Sequence, residues 1–290
     1  MEVLRSNWQV LAGFWDEATA LNYVRGQGVP FTTGEFEDLK EKVARAREHV
    51  QGLPARNADN PAVQHFDDSA RGNLTELESE PTFREHLQGM KKWEYAWVEL
   101  AKIVVFQPSL NTAYVESLLK EVPARDNLAA VVQFCLPLTK RAGPKLVTQG
   151  FDPVSNTFSV VTDNLDFRIL GQVQGEEPES GRKFVGFAYG GGLPQMSVVE
   201  YKGRYILKNG YHRAYALFRA GHRSLPCLLL HTDNYAMTGA QATGFFPLDT
   251  VLSEKPPRLE DFSSPAAVAI PRRLLRMMIT VHAEKVAFPV

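Results

Sequence analysis

Apolar residues recur at intervals of three and four in "EFEDLKEKVARAREHV", at Phe36, Leu39, Val43 and Ala46, with charged residues between them. That spacing predicts an amphipathic helix. The same interval runs through Phe83, Leu87, Met90, Trp93 and Trp97 in "TELESEPTFREHLQGMKKWEYAWVELAKIVVF" and predicts a second helix. Between them "LPARNADNPAVQHFDDSARGN" is rich in Pro, Asn, Asp and Gly and reads as a loop. Residues 1–100 are therefore expected to form a helical N-terminal extension.

The texture changes from about residue 100. "KIVVFQP" is a short β-branched run closed by proline, and "TAYVESLLKEV" has helical spacing through Tyr114, Leu118 and Val122. "AAVVQFCLPL" suits either a buried strand or the end of a helix. "NTFSVVTDNLDFRILGQV" and "RKFVGFAYGGG" are rich in Val, Phe, Ile and Thr and bounded by turn formers, as strands are. Ser197 to Tyr201 and Arg204 to Leu207 flank Lys202-Gly203, a hairpin pair. A helix from Tyr211 to Ala220 follows, with Gly221 where a C-terminal glycine is expected. "LPCLLL" reads as a strand buried on both faces, and "PRRLLRMMITVHAEKVAF" as a last helix. The expected fold class is α/β (α+β): a mixed sheet with helices over residues 101–290, carrying an insertion at about 123–195.

Composition narrows the function classes. The chain has 290 residues, 44% of them hydrophobic and 22% charged, which is ordinary for a globular protein. Its 32 basic and 33 acidic residues give a formal charge of -1, which argues against a chain dominated by nucleic-acid contacts. Cys135 and Cys227 form no C-x-x-C pair, so a zinc ribbon or thioredoxin-type motif has no support. Cys227 lies in an apolar run and reads as an inert buried thiol. With no apolar run near the roughly 20 residues a bilayer requires, and no secretion-type leader, a cytoplasmic protein without a membrane partner is expected. His65, Asp67 and Asp68 have a spacing that suits a metal only by chance. Gly190 to Gly192 is not a nucleotide P-loop, since no Gly-Lys-Ser or Gly-Lys-Thr follows. Arg272, Arg273 and Arg276 read as a solvated basic face.

The sharpest signal is Asn209-Gly210-Tyr211-His212-Arg213, a strand–turn–helix junction. The first backbone N–H groups of a helix lack intrahelical acceptors, and the dipole adds about half a positive charge there. An imidazole and a guanidinium at that end are unfavourable unless an anion joins them. Bare amides, an arginine fork and a histidine can then converge on one phosphate. Gly210 would permit close approach and an unusual φ.

"YILKNGYHRAYALFRAGHRSLPCLLL" resembles the phosphate-binding box of the ParB/sulfiredoxin superfamily: a strand, a G-x-[HR]-R turn, an alanine-bearing helix, a glycine and a final strand. "AKIVVFQPSLNTAYVESLLKEV" is similar to the family's first box. The resemblance covers residues 197–230 best and implies that Asn209, Gly210, Tyr211, His212 and Arg213 bind the phosphates of ATP or CTP, with Mg²⁺ bridging them. It further implies phosphoryl transfer or phosphate hydrolysis, with His212 and Glu116 as the catalytic candidates and Glu116 the base. Tyr211 stands where a sulfiredoxin carries its cysteine, so sulfinic-acid reduction is not expected. Two other readings stay open: a DNA-binding protein or nuclease of the ParB-like group, and a non-enzymatic interaction scaffold.

Overall fold

The computed structural model describes residues 5–27, 30–56, 59–66, 74, 77, 78, 83, 87–137, 146–164, 167–177, 179–191, 195–241 and 244–287. Among these, the strands are β1 (Arg5–Val10), β2 (Val63–His65), β3 (Lys92–Glu99), β4 (Ser109–Asn111), β5 (Leu146–Asp152), β6 (Thr157–Thr162), β7 (Arg168–Glu176), β8 (Lys183–Gly190), β9 (Ser197–Tyr201), β10 (Arg204–Asn209), β11 (Ser224–His231), β12 (Val268–Arg273) and β13 (Met277–His282). The α-helices are α1 (Glu17–Arg25), α2 (Thr33–Gly52), α3 (Thr112–Leu119), α4 (Leu128–Cys135), α5 (Tyr211–Arg219) and α6 (Leu248–Val251). The protein is a mixed α+β structure in two compact units: Met1–Thr139 with Gln195–Arg273, and Lys140–Pro194 with Leu274–Val290.

The larger unit is built on a five-stranded mixed sheet of order β10-β9-β11-β3-β2. Strand β11 is its centre, antiparallel to β3 along its whole length and parallel to β9 from Leu228 onward. Leu225 to Leu230 are all buried, as a strand covered on both faces requires. Pro226, which has no N–H to give, lies upstream of the residues that pair with β9. The β9–β10 hairpin turns at Lys202 and Gly203, both at positive φ (50° and 74°), as a primed turn demands.

A smaller antiparallel sheet, β12-β1-β4, carries α1 and α2. Leu39, Val43 and Ala46 form the buried stripe of α2, as their spacing predicts. Thr32 and Glu35 close a reciprocal capping box at its start, and Asp16 caps α1 through the Thr19 amide at 2.9 Å. Helix α2 crosses directly over Gly13, where a Cβ would lie 2.5 Å from the Ala46 carbonyl oxygen.

Two expectations of helix are overturned. Residues 92–99 form strand β3, not the end of a helix, and residues 277–282 form strand β13. Trp93 and Trp97 are four apart, an interval that places two residues on one face of a helix and equally on one face of a strand. The β11 ladder decides between them, and Trp93, Tyr95 and Trp97 line one face of β3. The open choice for "AAVVQFCLPL" resolves as helix α4, capped by the Asn127 side chain on the Ala130 amide. Among the described residues no helix is long and apolar enough to cross a membrane.

The smaller unit contains the antiparallel sheet β13-β6-β5 and a two-stranded ribbon, β7-β8. Both ribbon strands are expected from sequence. One face of the ribbon is apolar: the Phe184 ring lies over Gly175, Val173 over Gly186 and Leu170 over Gly190. Arg276 pairs with Asp163 at 2.8 Å at the exposed surface of this unit.

Candidate functional site

The Gly210 junction forms as its sequence implies. Strand β10 ends at Asn209, Gly210 adopts φ +95° at the N-cap, and the nine-residue helix α5 begins at Tyr211. The helix stops in a Schellman motif. Gly221 takes φ +83°, its amide donates to the Phe218 carbonyl at 3.0 Å, and the His222 amide donates to the Leu217 carbonyl at 3.0 Å. No N-cap side chain covers the first amides of α5, because that position is glycine.

Both segments of the sequence resemblance meet here. The Val104 amide donates to the Tyr205 carbonyl and the Leu207 amide to the Val104 carbonyl, each at 2.9 Å, which lays "KIVVF" beside β10. Tyr211 stitches the two together from inside the core. Its hydroxyl donates to the Leu207 carbonyl at 2.7 Å and accepts the Phe106 amide at 3.2 Å and the Gln107 amide at 3.4 Å. Burial drives the phenol far above its usual pKa, so Tyr211 holds the turn together as a neutral strut.

His212 and Arg213 diverge. Arg213 is buried and donates through Nη1 to the carbonyls of Phe134 (3.0 Å) and Cys135 (3.4 Å), the C-terminal end of α4. A cation suits that end of a helix. Its guanidinium therefore belongs to the junction of α4 and α5, not to a fork beside the Gly210 amides. The half-buried His212 accepts the Asn111 amide at Nε2, 3.1 Å away, and burial holds its pKa down at about 4. The ring is neutral at pH 7, with its proton on Nδ1, so it offers one N–H donor and no charge. Trp8 stands edge-on to it at 6.4 Å and Tyr114 packs at 5.1 Å. The Arg272 guanidinium caps Trp8 at 4.3 Å from the ring centroid.

The other expected residues are placed as follows. Asn209 donates from Nδ2 to the Gln195 carbonyl at 2.8 Å and anchors the chain before the turn. Glu116 is exposed and ion-paired with Arg219, in the last turn of α5. Seven residues of helix separate Arg219 from His212, roughly 10 Å along the axis, so the structure does not bring Glu116 to the turn. Cys227 and Cys135 are both buried; burial raises the Cys135 thiol to about 12 and the Cys227 thiol well above its usual value. His65 is exposed and bonded to Glu94 at 2.8 Å, whereas Asp67 and Asp68 lie outside the described residues. Gly190 closes β8 and Gly191 follows it; Gly192 lies outside the described residues. Among the described residues no group of three His, Cys, Asp or Glu side chains can hold a metal ion.

Searches against protein-family models, curated proteins and solved structures found no match.

The residues that sequence reasoning missed are Trp8, Asn111 and the α4 carbonyls. None has a signal at its own position. Asn111 serves through its backbone, and Trp8 reaches His212 only because β1 pairs with β4 next to α3.

The depressed histidine has a measurable consequence. Folded His212 titrates near 4 and the unfolded residue near 6.5, so the unfolded state binds the extra proton between those values. Stability is therefore expected to fall as pH drops from 6.5 to 4, by about 2 kcal/mol after allowance for the ring's partial exposure. Urea midpoints of wild type and His212→Gln at pH 7 and pH 4.5 test this. The glutamine keeps an acceptor for Asn111, and its curve should lack this component. Identical slopes for both proteins would remove His212 as the cause.

Proposed function

We propose that this protein binds a phosphate-bearing small molecule, a nucleotide such as ATP or CTP, at the Gly210 turn. The observation that carries the reading is the left-handed Gly210 at the N-cap of α5, ahead of first-turn amides that no N-cap side chain covers. The amides of Tyr211 and His212 and the Nδ1–H of His212 are the donors. The Arg213 guanidinium is not among them, since it is committed to α4. Mg²⁺, where needed, travels on the phosphates.

The reading is one of binding. Phosphoryl transfer would need a base at the turn, and Glu116 is held by Arg219 at the other end of α5.

Titration of inorganic phosphate, ATP and CTP, with and without Mg²⁺, into ¹⁵N-labelled protein tests the assignment. One of them should shift the amide resonances of residues 211–213. At a hundredfold excess over Kd it should stabilise the fold by about 2.7 kcal/mol. An open cleft of 360 Å³, lined by Trp15, Arg47, Asp249 and Lys255 among others, lies elsewhere in the same unit. Shifts confined to that cleft, or no shifts at all, would overturn the proposal.

A further inference from the structure

The 360 Å³ cleft of the larger unit is walled by residues 13–15 after β1, by the C-terminal half of α2, and by α6 with the residues that follow it. Small-molecule sites usually enclose about 300–1,000 Å³. The aromatic wall is held in place from behind. The Trp15 ring packs against Tyr23 and Phe246, with centroids 4.7 and 4.9 Å away, and Phe14 meets Phe246 at 6.0 Å. Val50 continues the apolar surface.

The α2 flank carries positive charge that the protein balances poorly. Arg47 donates through Nε to the Trp15 carbonyl at 3.1 Å, and its ion-pair partner, the half-exposed Glu17, lies 3.9 Å from Nη1. Lys255 gives one N–H to the Gln51 carbonyl and meets no carboxylate among the described residues. Residue 47 and the Gln51 carbonyl are four positions apart on α2, about 6 Å along its axis and on one face, so both cations belong to the same flank. Each keeps donors to spare, and two such groups can grip the oxygens of one carboxylate through charge-assisted hydrogen bonds. The α6 side offers the hydroxyls of Thr250 and Ser253, neither of them hydrogen-bonded to the protein among the described residues. Asp249 is exposed in the first turn of α6, where an acid suits the helix dipole. Its charge repels a phosphate dianion more than a singly charged carboxylate.

We propose that this cleft binds a small aromatic monocarboxylate. The carboxylate lies between Arg47 and Lys255, the ring rests against Trp15, and the two hydroxyls are neutral partners for substituents on the ring. The inference shares no residue with the Gly210 turn and does not depend on phosphate binding there.

Titration of benzoate and para-hydroxybenzoate into ¹⁵N-labelled protein tests it. Benzyl alcohol serves as the uncharged ring and inorganic phosphate as the anion without a ring. Both carboxylates should move the Trp15 indole resonance and the backbone amides of residues 47–51 and 250–255, saturating with a Kd of about 1 mM or below. Benzyl alcohol should bind about tenfold more weakly, since it lacks the charge that the cations recognise. Lys255→Met and Arg47→Met should each weaken benzoate binding by about tenfold, with thermal melts confirming that each variant is folded. Should Arg47→Met unfold because Trp15 loses its anchor, Lys255→Met carries the test alone. No saturable shift with either carboxylate overturns the proposal. So does benzyl alcohol binding as tightly as benzoate, phosphate moving the same amides at equal affinity, or a Lys255→Met chain that binds benzoate as the wild type does.

Discussion

Replacing Asp261 with alanine is expected to lower the melting temperature of this protein by about 10 °C, corresponding to a loss of roughly 3–5 kcal/mol. Asp261 is 1% exposed. Its carboxylate accepts two bonds from Arg56, at 2.7 and 3.1 Å, and a third from the Arg258 backbone amide at 2.8 Å. Arg258 and Arg204 are themselves buried, and each donates to the Arg56 carbonyl, at 3.0 and 3.2 Å. Three buried arginines thus meet at the Arg56 backbone; Asp261 is the buried carboxylate bonded to the Arg56 guanidinium, while the Arg258 guanidinium pairs with the exposed Asp59 at 3.0 Å. Arg204 already feels the crowding: burial, and then the charge of Arg258, lower its pKa. Without Asp261 the nearest carboxylate to Arg56 is Glu260 at 3.6 Å, and burial pushes that group toward its neutral form. Removing one partner of a buried ion pair leaves the other charge uncompensated, and that residual charge accounts for most of the effect. Thermal melts of wild type, Asp261→Ala and Asp261→Asn decide the matter. The asparagine keeps the shape and should lose less. A fall below about 2 °C for alanine would mean that water reaches these charges.

Gly210→Ala is expected to cost about 2–5 kcal/mol and, if the proposed phosphate site is right, to abolish binding there. One part is the backbone: φ +95° is left-handed, which costs an L-residue about 1–2 kcal/mol to adopt. The other is space, because a Cβ there would lie 2.7 Å from Cγ of Met196, a fully buried side chain whose amide is tied to the Cys135 carbonyl at 2.9 Å. Overpacking of this kind adds about 1–3 kcal/mol. Gly203→Ala is the control. It also has positive φ, 74°, but nothing lies within 4 Å of the new atom, so only the backbone part should appear. Chemical denaturation of both variants separates the two contributions. Equal losses would mean that Met196 moves aside freely.

The contrast between α2 and β3 shows how far the sequence alone reaches. In α2 the apolar stripe, the capping box and the charge pattern agree, and the helix follows. In β3 the tryptophans alone are ambiguous, and the deciding information is a partner strand more than a hundred positions away. The Gly210 turn was legible because its determinants are local: a strand, a glycine, a helix and a second glycine. The destinations of its side chains were not. Arg213 is drawn to the carbonyls of α4, Tyr211 to the amides of residues 106 and 107, and Glu116 to Arg219. Each of those choices is made by tertiary neighbours and leaves no trace in spacing.

The smaller unit is assembled from two separate stretches of chain, since β13 closes the sheet on β6, with Thr157 and His282 paired 125 positions apart. On the ribosome, β5 and β6 emerge well before their third strand exists. That sheet must wait, one flank open, while the rest of the larger unit is synthesised and can fold. The order of emergence makes the smaller unit the later of the two to mature, and the synthesis of β13 rather than local propensity sets its timing.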